Sequence, residues 1–284
     1  MGLVVNTNMA AMIAQRNLTM NSTKVTQSME RLATGYRINH AKDDVAGLQI
    51  SELLRTQVRG INMAMRNAED GASMLQVAEG AFATITDNIQ RIRELTVQGA
   101  NDTYGTSEKN AIAKEIWERV QDINRIAQVT SFNSVQLLDG SVSTFVLQIG
   151  PNATANDTLS LSAALRTATA SAIGVSVAQA SLTANGGIFE SNGNAQAFLT
   201  ELDAALQTMF DRRSTIGALQ GRLDSVINNL MIMSENITAS ESRIRDLDIA
   251  KETTNLMKSQ VLQQAAASVL AQANQIPMIA LNLL

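Results

Sequence analysis

The sequence predicts a mainly α fold: a long antiparallel helical rod or coiled coil with paired N- and C-terminal stretches and a small β-hairpin region. Three observations predict it. The first and last thirds place aliphatic residues three and four apart over many turns. Only two prolines occur in 284 residues, so little in the chain breaks a helix. Between the two thirds lies a Ser/Thr/Gly-rich stretch whose apolar residues alternate. Burying the two outer thirds against each other places Met1 and Leu284 at one end of the rod.

Residues 8–34 carry a seam at Ala11, Gln15, Leu18, Ser22, Val25, Met29 and Leu32. The alternating four and three spacing is a coiled-coil pattern with polar knobs. Gly35 stands where such a helix stops. Residues 36–44 are a polar connector, in which Asp43 or Asp44 caps the next helix and pairs with Lys42 or Arg37.

The helical period returns at Val45 and runs to about Gln98. Its clearest face is Leu75, Ala78, Phe82, Ile85, Ile89, Ile92 and Leu95. Gly60, Gly71 and Gly80 interrupt it, each costing about 1 kcal/mol relative to Ala. Residues 99–107 form a turn. A second helix over 107–129 presents Ile112, Ile116, Val120, Ile123 and Ala127, which makes an antiparallel helical hairpin.

Alternation over Ser143–Ile149 and Thr158–Ser162, with Gly150-Pro151-Asn152 between, predicts a β-hairpin at about 143–162. Residues 163–193 are small and polar. From Ala195 to Ile276 the helical period returns, through Ile216, Leu219, Leu223, Val226, Leu230, Met233, Ile237, Ile244 and Leu247. A register shift near Lys251 precedes a second seam at Leu262, Ala266, Val269, Ala273 and Ile276, and Pro277 is expected to stop the helix.

Composition narrows the function. Aromatics are only 3% of the chain, so aliphatic packing dominates, as in elongated bundles. A formal charge of −4 with mixed signs supplies no basic face for nucleic acid. No apolar window is long enough to span a membrane, and the N-terminus lacks the pattern of a cleaved secretory signal. With no cysteine and one histidine, His40, no catalytic, metal or cofactor constellation is expected. His40 is expected to be a solvent-facing loop residue, and Arg91, Arg93 and Glu94 a charged face with helical ion pairs. The C-terminal stretch, however, carries more Leu and Val than one partner helix can cover. Val261, Leu262, Val269, Leu270, Ile279, Leu281, Leu283 and Leu284 therefore imply ends that fold on assembly with neighbours.

These residues carry a resemblance. Asn6-Thr-Asn8, Glu30-Arg-Leu-Ala-Thr-Gly-Tyr-Arg-Ile-Asn39, Ala41-Lys-Asp-Asp44, Ala46–Ser51, Arg66–Gly71, Gln90–Leu95 and Phe132-Asn133 resemble, in order, the N-terminal signature of the bacterial flagellins. Glu241–Asp248, Val269–Pro277 and Leu283-Leu284 resemble their C-terminal signature. The likeness covers about 1–140 and 195–284. His40 and Asn282 depart from it, standing where the family commonly has Ser.

The resemblance implies a compact type lacking large outer domains. In it, 1–42 and 250–284 would form a terminal coiled-coil domain lining a filament core, and 43–165 with 194–249 a rod domain. Residues 166–193 would be a short exposed variable segment. It implies a secreted structural subunit of the extracellular flagellum, polymerising with its own copies for motility. Other implied partners are the flagellar type III export apparatus, an export chaperone, cap and junction proteins, and the host Toll-like flagellin receptor. Alternatives are the hook–filament junction protein of the same family, or a secreted helical type III effector or translocator. Carried over residue by residue, Gln90, Arg91, Leu95, Gln98 and Glu115 would contact the receptor and, in the filament, a neighbouring subunit. Leu18, Val25, Met29, Leu32, Leu262, Val269, Ile276, Leu283 and Leu284 would be polymerisation seams. Protofilament switching would reside in the hairpin and rod helices, and the Ser/Thr-rich stretch Thr158–Ser191 is a candidate for O-linked sugars.

Overall fold

A computed structural model describes residues 7–142, 144–175 and 187–281. The chain is mainly helical: α1 (Met9–Thr34), α2 (Val45–Gly99), α3 (Thr106–Val129), α4 (Asn192–Arg245) and α5 (Ile249–Leu281). Four short strands form two antiparallel pairs: β1 (Ser131–Phe132) with β2 (Val135–Gln136), and β3 (Val146–Gln148) with β4 (Thr158–Ser160). Two compact units result, Met1–Val58 with Glu235–Leu284, and Arg59–Ser234.

In the first unit α1 packs on α5. Asn8 bonds to Ala273 and Ser28 to Glu252, so the pair is antiparallel. Asn8 caps α1 by accepting from the Ala11 N–H at 3.1 Å. Gly35 ends it at φ +74°, a left-handed conformation that glycine adopts without a Cβ penalty. The shared seam runs three and four apart through Ala11, Ala14, Leu18, Asn21, Val25, Ser28 and Leu32, against Glu252, Leu256, Ser259, Gln263, Ala266, Leu270 and Ala273. Five expected seam positions lie elsewhere: Gln15 is exposed and Ser22 half-buried beside the seam, with Ala14 and Asn21 in their slots, and Met29, Leu262 and Val269 are 53%, 43% and 52% exposed. Small or polar neighbours (Ser28, Gln263) or Leu270 take the inner slots. Small side chains let two helix axes approach, and either of two adjacent residues satisfies the same spacing.

The two connectors of this unit pair with each other. The Arg37 N–H donates to the Arg245 carbonyl at 2.7 Å, and the Leu247 N–H to the Gly35 carbonyl at 3.0 Å. The expected register shift is therefore a break in the backbone, at 246–248, where Asp248 accepts from the Lys251 N–H and starts α5. The Tyr36 ring sits 4.7 Å from the Arg245 guanidinium. Asp44 caps α2 through the Gly47 N–H, whereas Asp43 ties the loop by accepting from Asn39 and His40. Arg37, expected as an ion-pair partner for these carboxylates, donates instead to the Ile244 carbonyl.

Pro277 does not stop α5, which continues to Leu281. A helical proline withholds the N–H that would reach the carbonyl four residues back. That carbonyl belongs to Ala273, and it accepts from Asn8 at 2.7 Å instead. Leu283 and Leu284, and with them the meeting of Met1 with Leu284, lie outside the described residues, as does the Ile276 side chain.

The second unit has a conventional core. The expected faces of α2 (Leu75 to Leu95) and α3 (Ile112 to Ala127) are all buried. Phe198, Leu202, Ala205, Met209, Ile216 and Leu223 of α4 join them, but Met233 is exposed. The β3–β4 hairpin pairs Leu147 with Leu159, inside the expected 143–162. It lies on α2 at the helix glycines: a Cβ on Gly71 would stand 2.1 Å from Leu147 Cδ1, and one on Gly60 3.0 Å from Pro151 Cβ. Asn67 adds a 3.0 Å bond to the Gln148 carbonyl. The helix-propensity cost of these two glycines thus admits the hairpin. The β1–β2 hairpin was not expected; Asn133 and Ser134 turn it at φ +47° and +66° without the Asn-Gly pair that announces such turns.

Candidate functional site

Two surfaces carry the residues singled out by sequence. Among the described residues no group of three or more His, Cys, Asp or Glu could hold a metal ion. Nor, among the described residues, is any helix long and apolar enough to cross a membrane. His40 is exposed, its Nε2 2.7 Å from Glu30 Oε1.

The first surface is the α1–α5 pair. Its seam contains a buried carboxylate: Glu252 is 7% exposed, accepts from Ser28 Oγ at 2.6 Å and from Asn255 Nδ2 at 3.3 Å, and lies 4.0 Å from Arg31 Nη1. Such a polar knob specifies register while contributing little apolar burial. Many apolar side chains point away from the seam. Met9, Met12, Ile13 and Met20 form one stripe on α1, three, four and eleven residues along from Met9. On α5, Met257, Val261, Leu262 and Val269 are exposed. Leu18, Val25 and Leu32 are half-buried between the helices. The expected seam residues therefore divide, some holding α1 to α5 and others facing outward.

The second surface is on α2 and α3. Arg91 bridges them, donating from Nη1 to Glu94 at 3.0 Å and from Nη2 to Glu115 at 3.2 Å. These bonds, Glu94 first and Glu115 next, raise the Arg91 guanidinium above its ordinary pKa. Gln90 and Gln98 are exposed nearby, and Gln98 donates to Tyr104 Oη at 3.4 Å. Arg93 holds Asp203 of α4 at 2.7 Å. Leu95 is not on this surface. It is 2% exposed and belongs to the core, because it continues the Phe82–Ile89–Ile92 face one turn on. Arg91 and Glu94 thus form the helical ion pair expected of them, while Arg91 and Arg93 reach across to other helices at Glu115 and Asp203.

Comparison with known proteins gives a consistent result. Residues 5–143 match the model of the bacterial flagellin N-terminal helical region, and residues 199–284 that of the C-terminal helical region. The chain is similar to a flagellin of Halalkalibacterium halodurans, 41% identical over 282 residues, covering 99% of this chain and all of that one. It is likewise similar to the flagellar filament 33 kDa core protein of Treponema phagedenis, 38% identical over 291 residues with the same coverage. Among solved structures, a putative flagellar hook-associated protein from Vibrio parahaemolyticus shares the fold at a TM-score of 0.58 and 13% identity. That likeness covers 72% of this chain and 100% of the other.

Proposed function

This chain belongs to the bacterial flagellin family, and from that premise we propose that its copies join through the outward apolar face of α1 and α5. It is a structural subunit that polymerises into the extracellular flagellar filament for motility. The observation that carries the proposal is the division of the α1–α5 pair. Its inner seam mixes Leu and Val with Ala, Ser, Asn, Gln and Glu, while Met9, Ile13, Met20, Val261 and Val269 stay in water. Covering each such side chain with a neighbouring copy would contribute roughly 1.5–3 kcal/mol.

In this reading 1–42 and 250–284 line the filament core, and 43–165 and 194–249 form the surrounding rod domain; of the expected exposed segment 166–193, Ala168, Ala170, Ile173, Val175 and Phe189 are instead buried in the second unit's core, because their apolar side chains close it, and 176–186 lie outside the described residues. Leu18, Val25 and Leu32 hold α1 to α5, and Met29, Leu262 and Val269 meet neighbours. Export by the flagellar type III apparatus with a chaperone, and contact with cap and junction proteins, follow from the same premise. Gln90, Arg91, Gln98 and Glu115 form the face offered to a host Toll-like flagellin receptor, with Leu95 beneath it as packing.

Electron microscopy of the purified chain after addition of filament seeds, beside a truncation lacking 261–284, tests the reading. Long tubes from the full chain alone are expected. Tubes from both, or from neither, would remove the α1–α5 face as the site of joining.

A further inference from the structure

We propose that the exposed methionines of α1 and α5 are an oxidation site through which a hydroperoxide reversibly disables subunit joining. The inference rests on the reading that copies join through this face. The chain has 13 methionines and no cysteine, so its redox-active sulfur is thioether sulfur. Met9, Met12, Met20, Met29 and Met257 are 58%, 59%, 53%, 53% and 66% exposed, whereas Met74 and Met209 are 7% and 0% exposed in the second unit's core. Reagent in water therefore reaches the first five and not the last two.

The chemistry needs only the peroxide. The thioether sulfur attacks one peroxide oxygen, an S–O bond forms, the O–O bond breaks, and the other oxygen leaves as water after proton transfer through solvent. The sulfur is oxidised by two electrons and the peroxide is reduced by two. The product replaces an apolar side chain with a strongly polar one. A sulfoxide on a face that must be dehydrated loses its water partners, at a cost that scales with the number of oxygens buried. Once a neighbouring copy covers the face, the same sulfurs are shielded. Free subunits are thus vulnerable and assembled ones protected. Leucine would pack comparably on this face and would not be oxidised.

The experiment treats free subunits and preformed filaments with hydrogen peroxide, quenches it, maps oxidised methionines by peptide mass spectrometry, and measures seeded polymer yield. Oxidation at Met9, Met12, Met20, Met29 and Met257 is expected in free subunits, with Met74 and Met209 intact and with protection in filaments. The concentration needed for growth should rise roughly tenfold or more, equivalent to about 1.4 kcal/mol. Treatment with methionine sulfoxide reductase and a dithiol, which is oxidised to its disulfide as the sulfoxide oxygen leaves as water, should restore growth. A variant with all five replaced by Leu is read as the ratio of yield after and before peroxide, which divides out any effect of the substitutions on assembly itself. That ratio should be near one, while the control M63L/M231L/M233L should stay as sensitive as the parent. Undiminished growth of fully oxidised subunits, failure of the reductase to restore it, or equal sensitivity in the five-Leu variant would overturn the proposal. Failure of untreated protein to grow, or growth of the 261–284 truncation, would instead overturn the joining face beneath it.

Discussion

The Asn8 side-chain amide donates a 2.7 Å hydrogen bond to the Ala273 carbonyl, four residues before Pro277. Its oxygen meanwhile accepts from the Ala11 N–H. One side chain therefore caps the start of α1 and serves the carbonyl that a proline leaves open near the end of α5. Hydrogen bonds made by a single residue link the first turn of one helix to the last turns of the other.

Asn8→Asp keeps the acceptor and loses the donor, and is expected to destabilise the α1–α5 pair by about 1–2 kcal/mol. Pro277→Ala returns an N–H to Ala273 and should shrink that loss. Hydrogen exchange of α1 and α5 amides in the two single variants and the double variant checks the coupling. Equal losses in both backgrounds would mean that the Ala273 bond contributes nothing.

The Ser28–Glu252 bond is buried and charge-assisted. Ser28→Ala is expected to cost about 1.5–3 kcal/mol, read from denaturant midpoints of the first unit. Glu252→Leu should hold the helices as tightly or more so, yet permit other registers. Broadened NMR lines in α5 would mark the lost register, and a single sharp set would argue against it.

Helix glycines in α2 should respond oppositely to alanine. Gly80 has nothing within 4 Å of a built Cβ, so Gly80→Ala is expected to stabilise by about 0.5–1 kcal/mol. At Gly99 the Cβ would lie 2.4 Å from Cε1 of the buried Phe189 ring, which cannot bend aside. Gly99→Ala should cost about 1–3 kcal/mol in thermal melting.

The Asp43 carboxyl is held below its ordinary value of 3.8, chiefly by the His40 backbone N–H, then by Asn39 and the charge of Arg31, against partial burial that raises it. A depressed acid contributes stability above its unfolded value and loses it as pH falls through the folded one. The 36–44 connector should therefore loosen below about pH 4. Asp43→Asn should flatten that acid dependence, followed by amide exchange at Asn39 and His40.

Arg91→Ala removes two exposed ion pairs and should leave the melting temperature almost unchanged. The same variant is expected to lower receptor-reporter activation by free subunits. A folded variant with full signalling would dismiss the Arg91 face as a recognition surface.

Much of the second unit was legible residue by residue. The faces Leu75 to Leu95 and Ile112 to Ala127 are apolar residues on one stripe of each helix, and every one is buried. The α1–α5 pair was not legible in the same way. Ser28 and Met29, or Gln263 and Leu262, fit the same three-and-four spacing, and apolar residues occur on more than one face. A pattern rule chooses the more apolar side chain, as it did at Met29 and Leu262, and between Val269 and Leu270 it has nothing to decide by. Leu95 misled differently: the motif implied a surface role, but its helical phase continues the core.

The sequence by itself determined the helical class, the order of the helices, the break before α5, the family, and the faces of α2 and α3 that enter the second unit's core. These follow from local spacing, caps and long apolar stripes. Only the tertiary structure decided which face of α1 meets α5, why α5 runs past Pro277, and which apolar side chains stay in water. Each depends on which groups come within bonding distance across more than two hundred residues of chain, as Asn8 and Ala273 do. Helical periodicity restricts the possible faces, but the choice among them belongs to the partner helix.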